Sequence, residues 1–274
     1  MKHVCSVHTH SALCDGKDTL AEMARAAFAA GAVSFGASGH SHTPMPDDAG
    51  CVLPADMTAY REEVLGLREA YGGRMDVLLG IELDNCADVT PEGFDYWIGS
   101  VHHLQSPEGG WHAVDWTAEA LRTCLREGFA GDSRGLWASY YDEVRRMAER
   151  RPTILGHVDL IAKFNGDGTF FDEEDPRYRA AALEALHAAD PGETLLEINT
   201  GAMARGYRSV PYPALFLLRE WRDMGGKIIL TADAHSAGTI VHGYAQAAAL
   251  ARAAEFERST LLTRRGREER PLEL

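Results

Sequence analysis

The chain has 274 residues, of which 45% are hydrophobic, and its 27 Lys plus Arg against 41 Asp plus Glu give a formal net charge of −14. This length and apolar fraction suffice for a large buried core, which excludes a disordered or fibrous protein. The acidic balance disfavours partners that are bound through a polyanionic backbone, so we expect no nucleic-acid partner.

Short apolar runs alternate with longer amphipathic segments along the chain, as expected for parallel strands joined by helices. Strands are predicted at residues 2–7, 33–38, 76–81, 97–101, 153–156, 194–199 and 227–231. Helices are predicted at residues 19–30, 55–71, 117–129, 136–150, 177–189, 214–224 and 239–257. The charged segment 264–270 is predicted to be solvated surface. No linker or internal repeat interrupts this order, which predicts one α/β domain over residues 1–274.

The cysteine pattern and the N-terminal sequence indicate the cellular compartment in which the protein is found. Five cysteines are widely spaced without a C-x-x-C pair, which predicts reduced thiols instead of disulfides or a thiolate zinc site. The N-terminus lacks the apolar core of a secretory signal, and the most apolar stretch, 23–33, is shorter than the roughly 20 residues that cross a bilayer. We therefore expect a cytoplasmic protein with no membrane partner.

Histidine is abundant, with 12 residues, and many of them follow predicted strands. In a βα-barrel the carboxyl ends of the strands open into one mouth, where the active site forms. Together with nearby carboxylates, the residues at these ends are His8, His10, Asp15, His40, Glu82, His102, His157, Asp233 and His235. One histidine after a strand is most often a loop or core residue. Nine such residues on six strand ends are hard to attribute to chance.

The spacing of these residues indicates metal ligands. His8 and His10, like Asp233 and His235, lie two positions apart and so share one side of an extended chain. Glu82 follows the apolar run 77–81, where a carboxylate is costly to bury unless it is paired or bound to a cation. Imidazole and carboxylate groups without thiolate suit Zn, Mn or Fe, and nine of them indicate a cluster of ions.

Several close cations favour phosphate-ester hydrolysis. They collect a substrate phosphate, lower the pKa of a bridging water and stabilise charge on the entering and leaving oxygens. The sequence contains neither of the glycine-rich phosphate-binding loops of nucleotide-binding folds. It also lacks the G-x-S-x-G motif of serine hydrolases. Metal-assisted hydrolysis of a phosphate ester is therefore the predicted chemistry.

A series of short motifs resembles the PHP (polymerase and histidinol phosphatase) superfamily, and is most similar to its monofunctional histidinol-phosphatases. The motifs are HTH at 8–10, CDGK at 14–17, His40, GIELD at 80–84, IGSVH at 98–102, GHVDL at 156–160 and ADAH at 232–235. The resemblance implies a distorted (β/α)7 TIM-like barrel, the PHP fold, with three divalent metal ions. It implies one metal held by His8, His10, Glu82 and Asp233, a second by Glu82, His102 and His157, and a third by Asp15, His40 and His235.

Two features depart from the family pattern. An acidic residue is common in the family where Gly39 precedes His40. His42 and His103 also stand beside the matching histidines, which leaves a choice between His40 and His42 and between His102 and His103. Position favours His40 and His102, each of which comes first in its pair.

The predicted mechanism is an in-line attack on phosphorus by a metal-bridging hydroxide. Asp233 or His235 is expected to assist the leaving alcohol oxygen as the catalytic acid. Lys163, Arg205 and Arg208 are the predicted phosphate contacts, Arg for its bidentate fork and Lys as a point charge.

Three functions are weighed. The leading hypothesis is hydrolysis of L-histidinol phosphate in histidine biosynthesis, and the second is a PHP phosphoesterase for another small phosphomonoester or a nucleotide. The third is a non-catalytic domain whose metals serve structure or which serves as an interaction module. It is disfavoured because structural metal sites usually close their coordination, whereas this ligand set suits a bridging water. A cationic mouth in an acidic body suits a small phosphomonoester that carries its own ammonium. The metal identities and the oligomeric state are left open.

Overall fold

The secondary structure comes from a computed structural model that describes residues 4–45 and 50–272. Its strands are β1 (Val4–Ser6), β2 (Ala32–Ala37), β3 (Asp76–Asp84), β4 (Tyr96–Ser100), β5 (His103–Gln105), β6 (Trp111–Ala113), β7 (Ile154–Leu155), β8 (Leu195–Asn199), β9 (Lys227–Thr231), β10 (Arg258–Thr263) and β11 (Gly266–Pro271). Its α-helices are α1 (Leu20–Ala29), α2 (Met57–Ala70), α3 (Ala118–Thr123), α4 (Ser133–Glu149), α5 (Pro176–His187), α6 (Gly201–Ala204), α7 (Leu215–Asp223) and α8 (Tyr244–Ala253). None of these described helices is both long and apolar enough to span a membrane.

Seven parallel strands form one sheet in the order β1-β2-β3-β4-β7-β8-β9. Its two edges meet just beyond β1 and β9, where His10 N donates to Ala234 O (2.9 Å) and Ala234 N donates to His8 O (3.1 Å). The sheet is thus a nearly closed barrel with flanking helices, which confirms the predicted (β/α)7 fold. All seven carboxyl ends open into one mouth because the strands run in the same direction. A single domain over the whole chain stays a prediction.

The predicted elements differ from the observed ones mainly in short segments. Each of the seven predicted strands forms, although the fifth has only two residues; Lys2 and His3, at the start of the first, lie outside the described residues. The predicted helix at 117–129 is α3 followed by a π-helical turn at Cys124–Gly128. The antiparallel hairpin β5–β6 was not predicted, because strands of three residues are too short to show an alternating pattern.

The C-terminal hairpin β10–β11 closes the amino end of the barrel, where the sequence predicted only solvated surface. Its β11 strand is largely exposed, but Leu261 and Leu262 of β10 are buried in one cluster with Cys5, Val7 and other inward-facing strand residues. Arg264 N donates to Asp76, the first residue of β3 (2.9 Å). Leu261 and Leu262 thus form an apolar plug that seals the end of the barrel opposite the mouth.

Leu262→Ala is expected to lower the free energy of unfolding by about 2–4 kcal/mol, because it removes buried methyl groups and leaves a cavity in the plug. Urea denaturation measures this change. The matched control is Leu65→Ala on the exposed face of α2, which should change stability by less than about 0.5 kcal/mol. Equal effects of the two substitutions would contradict the role of the plug.

The ring of Tyr96 crosses the barrel interior below the mouth. Its hydroxyl donates to Val7 O at 2.6 Å. A Cβ atom at Gly36 would lie 2.3 Å, and one at Gly80 2.2 Å, from atoms of this ring, so any side chain at either position would collide with it. Because Gly36 and Gly80 have no side chains, the Tyr96 ring fits across the barrel at this level. Gly80 lies two residues before Glu82 in β3.

Candidate metal centre

The carboxyl ends of the barrel strands bring all nine predicted ligands together. They form four overlapping groups, and within each group the possible ligand atoms lie within 4.8 Å of one another. The groups are His10, Asp15, His40 and His235; His8, His10 and Asp233; His8, Glu82 and His157; and His40, Glu82 and His102. The overlap of these groups makes them one continuous cluster.

Glu82 lies at the centre of this cluster and is 1% exposed. Its carboxylate oxygens lie 3.1–3.5 Å from five imidazole nitrogens, those of His8, His10, His40, His102 and His157. Ser100 Oγ, from the neighbouring strand β4, donates to Glu82 Oε1 at 2.6 Å. One carboxylate therefore faces the ligands of four other strand ends.

Asp15 and Asp233 extend the cluster towards solvent. Asp233 Oδ1 lies 3.2 Å from His10 Nε2 and 3.5 Å from His235 Nδ1. Asp15 lies on the other side of His235, with Oδ2 3.0 Å from Nε2, and it is the most exposed of the three carboxylates. The three carboxylates therefore form a line from the barrel interior to its mouth.

Electrostatics keep the central carboxylates ionised. Burial by itself raises the pKa of Glu82, but the charges of His8, His40 and His102 lower it well below its ordinary value. Burial, followed by the charges of His235 and His40, lowers the pKa of His10 to about 3. Neutral imidazole and ionised carboxylate are the forms that ligate a metal ion.

Unpartnered atoms show that the cluster fits cations. His8 Nε2, His10 Nε2 and Glu82 Oε2 are buried without a hydrogen-bond partner. Such atoms are costly unless something else satisfies them. They nevertheless point at one another, with Oε2 3.2 Å from His8 Nε2 and 3.4 Å from His10 Nε2. Nitrogen and oxygen lone pairs that converge in this way suit a divalent metal ion.

Asp233 is held in an unusual backbone conformation. Its φ of 46° lies in the left-handed region, which non-glycine residues seldom adopt. Gly201 makes room for the side chain, because a Cβ there would lie 2.5 Å from Asp233 Oδ2. Backbone strain of this kind is typical of functional sites.

The family model described as "PHP domain" matches residues 6–201. The chain belongs to the PHP family. Among PHP relatives, it is 31% identical over 265 residues to a Deinococcus radiodurans protein named "Probable histidinol-phosphatase", covering 90% of this chain and 92% of that protein. It is 24% identical over 262 residues to a Bacillus subtilis protein named "Histidinol-phosphatase", covering 86% and 95%. The resemblance found in the motifs is therefore confirmed.

Solved PHP-type structures share the fold. A histidinol phosphate phosphatase from Lactococcus lactis, solved in complex with Zn, L-histidinol and phosphate, gives a TM-score of 0.68 at 20% identity. The match covers 98% of this chain and all of that one. A structure from Listeria monocytogenes gives a TM-score of 0.72 at 18% identity, covering 88% of this chain and 98% of that one.

The structure separates the two pairs of neighbouring histidines in this PHP chain. His40 and His102 both face Glu82, whereas His42 Nδ1 faces Asp88 at 2.9 Å. His103 belongs instead to a fifth group of possible ligands, with Asp84 and Cys86. The geometry therefore favours His40 and His102, as their positions in the sequence did.

Gly39, the departure from the PHP pattern, is tightly enclosed. A Cβ at this position would lie 2.7 Å from Val52 Cγ2 and 3.4 Å from Cys14 Sγ. Its backbone N–H donates a hydrogen bond to Tyr60 Oη at 3.2 Å. An acidic side chain therefore has no room here without a shift of Val52.

Two buried carboxylates behind the ligands were not among the predicted site residues. Glu197 Oε1 accepts a 2.5 Å hydrogen bond from His8 Nδ1, and Asp84 Oδ2 lies 2.8 Å from His102 Nδ1. Each leaves the Nε2 atom of its histidine directed at Glu82. A carboxylate in this position fixes the tautomer and orientation of a metal-ligating histidine. Glu197 is a charged residue within the predicted apolar strand 194–199, and this pattern in the sequence could have identified it as a candidate site residue.

The three predicted phosphate contacts occupy different positions. Arg205 lies in the cluster, with Nη2 3.1 Å from Asp233 Oδ2 and Nη1 2.9 Å from His235 Nδ1. Lys163 lies at the rim and pairs with Asp115, whereas Arg208 Nη1 donates to Ala162 O at 2.8 Å. Arg205 is therefore the cation that the structure brings against the predicted ligands.

Proposed function

We propose that this protein hydrolyses L-histidinol phosphate to L-histidinol and phosphate in histidine biosynthesis, with divalent metal ions. The convergence of nine imidazole and carboxylate groups around Glu82 carries this proposal. The names of the relatives and the L-histidinol and phosphate bound by the Lactococcus lactis enzyme support the substrate. The protein is in this view a phosphoric monoester hydrolase.

Three metal ions fit the predicted ligand sets. His8, His10, Glu82 and Asp233 would hold one, Glu82, His102 and His157 a second, and Asp15, His40 and His235 a third. Imidazole and carboxylate ligands suit Zn, which the Lactococcus lactis enzyme contains, and also Mn or Fe. When bound, such ions would neutralise the phosphate and lower the pKa of the attacking water.

Residues of the chain itself would orient the ester and supply a proton. Arg205, whose planar fork suits a phosphate, would contact the ester, and Lys163 and Arg208 are the other two proposed phosphate contacts. Asp233 has its pKa held far below the ordinary value, despite burial, by Arg205 and His8. The pKa of His235 is raised, because hydrogen bonding to Asp15 and the charges of Asp233 and Asp15 outweigh burial. Without metal, His235 is therefore the one of the two proposed acids that more readily carries a proton, although a His235 nitrogen that holds a metal ion is not available to donate one.

We further propose that the enzyme is cytoplasmic and that its partner is a small molecule. The five cysteines, all within the described residues, form no disulfide with one another, which suits a reducing compartment. The net charge of −14 opposes nucleic-acid binding but allows a small phosphomonoester to enter a cationic mouth.

Removal of metal provides the test of this function. We expect phosphate release from histidinol phosphate to fall to background after chelation, and to return when Zn, Mn or Fe is added back. A panel of other phosphomonoesters and mononucleotides is assayed beside it. Equal rates on the whole panel would favour the alternative of a PHP phosphoesterase with another substrate. Activity that survives complete chelation would contradict the metal mechanism.

A further inference from the structure

An ion pair between Asp115 and Lys163 stands at the rim of the mouth, outside the groups of possible metal ligands. Lys163 Nζ donates to Asp115 Oδ2 at 3.0 Å and to the backbone carbonyl of the same residue at 2.6 Å. A lysine ammonium has three hydrogens, and two of them are directed at one residue. Asp115 is therefore held at both its backbone and its side chain.

The loops that carry this pair are tied to two ligand-bearing strand ends. Val114 N, next to Asp115, donates to His102 O at 2.9 Å. A 3₁₀ turn at Leu160–Ala162 links Lys163 to the other end, because Leu160 N donates to His157 O at 2.9 Å. Strands β4 and β7 are neighbours in the barrel, so the pair spans the rim between their ends.

The pair presents its negative end to the solvent. The Lys163 side chain is 7% exposed and that of Asp115 is 23% exposed. The rings of Phe164 and Tyr207 lie 5.4 Å from Lys163 Nζ and cover it. Burial raises the pKa of Asp115, but the charges of Lys163, His102 and His157 bring it down to about 2. The accessible group at this rim is thus an ionised carboxylate.

Arg205 follows the next strand end, β8, where its guanidinium contacts Asp233 and His235. Burial lowers the pKa of Arg205, and the charges of Asp233 and Asp115 raise it above the ordinary value. Two other carboxylates at the mouth have imidazole partners: Asp84 contacts His102 and His103, and Asp88 contacts His42. Asp115 differs from them, because it is paired with a lysine and lies outside the predicted metal ligands.

We propose that Asp115 binds the ammonium group of the substrate, and that Lys163 holds Asp115 in place for this contact. This inference rests on the proposed function, and it specifies the substrate class as phosphomonoesters with an amino group on the carbon next to the ester carbon. In histidinol phosphate only two carbons separate the ammonium nitrogen from the ester oxygen, so a group that binds the ammonium has to stand at the mouth that receives the phosphate. A carboxylate that accepts a charge-assisted hydrogen bond recognises such an ammonium.

The experiment compares histidinol phosphate with 3-(imidazol-4-yl)propyl phosphate, which lacks only the amino group, on the full chain loaded with Zn. We expect the wild type to favour histidinol phosphate in kcat/KM, and Asp115→Asn to reduce that preference by about 10- to 100-fold, the range for a hydrogen bond to a charged group. The loss should appear mainly in KM for histidinol phosphate, with little change for the analogue. Glu108→Gln, an exposed acid-to-amide change at the tip of the β5–β6 hairpin, is the matched control.

The outcomes separate this inference from the function on which it rests. A wild type that hydrolyses neither compound contradicts the proposed function. A wild type that hydrolyses both equally well, or an Asp115→Asn enzyme that keeps the preference, overturns the role of Asp115 alone. Melting temperatures and metal content are measured for each variant, and Asp115→Ser replaces Asp115→Asn if the amide fails to fold. Loss of activity on both compounds in a folded, metal-loaded variant indicates a structural role and also overturns the proposal.

Discussion

Glu82→Gln should lower kcat/KM for phosphate release by about 10³-fold or more, equivalent to about 4 kcal/mol of transition-state stabilisation. Both oxygens of Glu82 face imidazole nitrogens, so this carboxylate contacts the proposed ligands of four other strand ends. An amide keeps the shape of the side chain but removes its charge and turns one acceptor into a donor. A donor aimed at a metal position repels the cation, so the metal ion loses a ligand and a compensating negative charge.

Metal content measured by atomic absorption should fall together with activity. Asp159→Asn is the matched control, because Asp159 is equally buried but lies outside every group of possible ligands. Asparagine keeps the shape of the side chain, and its amide oxygen can still accept the hydrogen bond that Ala214 N donates to Asp159 Oδ2 at 2.7 Å. We expect that control to retain its metal. A Glu82→Gln protein that keeps full metal content and most of its activity would contradict the central position of Glu82.

The ligands were predictable because each signal is local in the sequence. His8 and His10 share one strand end, and the charge of Glu82 interrupts an apolar strand, so neither required knowledge of a distant contact. Strand alternation and the convergence of parallel strand ends then predict the cluster. The order of the strands around the barrel follows from the same regular alternation of strands and helices.

The contacts of the supporting residues were not predictable because their partners are distant in the chain, although Lys163 itself was predicted as a phosphate contact. Glu197 interrupts an apolar strand as Glu82 does, but its partner His8 is 189 positions away. Asp115 and Lys163 are separated by 48 positions and lie on loops with no periodic pattern. The burial of β10 depends on its contact with the open end of the barrel. The hydrophobic pattern of the sequence does not show where that end lies. Local chemistry thus predicts the proposed ligands, whereas tertiary contacts determine what holds them.

Glu197→Gln should weaken metal binding by about 10- to 100-fold, as expected for a residue that orients a metal ligand. The Glu197 carboxylate is fully buried and accepts hydrogen bonds from four groups: His8 Nδ1 (2.5 Å), His157 N (2.8 Å), Asn199 Nδ2 (3.1 Å) and Thr231 Oγ1 (2.7 Å). These donors come from four strand ends around the barrel closure. Glutamine replaces one acceptor oxygen with an NH₂ group, so at least one of the four donors loses its partner.

The pH dependence of metal binding distinguishes lost charge from simple loosening. Burial lowers the pKa of His8, but the charges of Glu197, Glu82 and Asp233 raise it well above the ordinary value in the metal-free protein. A proton on His8 competes with the metal, so removal of the Glu197 charge should move the pH midpoint of metal binding downward while the affinity above that midpoint falls.

Thr231→Val provides the control for this effect, because it removes one donor to Glu197 and leaves the carboxylate charged. We expect its affinity for Zn to change by less than about tenfold, since a single neutral hydrogen bond contributes about 1 kcal/mol. Its pH midpoint should stay at the wild-type value. If Glu197→Gln also left the midpoint in place, Glu197 would act on His8 through packing alone. If the midpoint falls, the carboxylate sets both the direction in which His8 Nε2 points and the proton affinity against which a metal ion must compete.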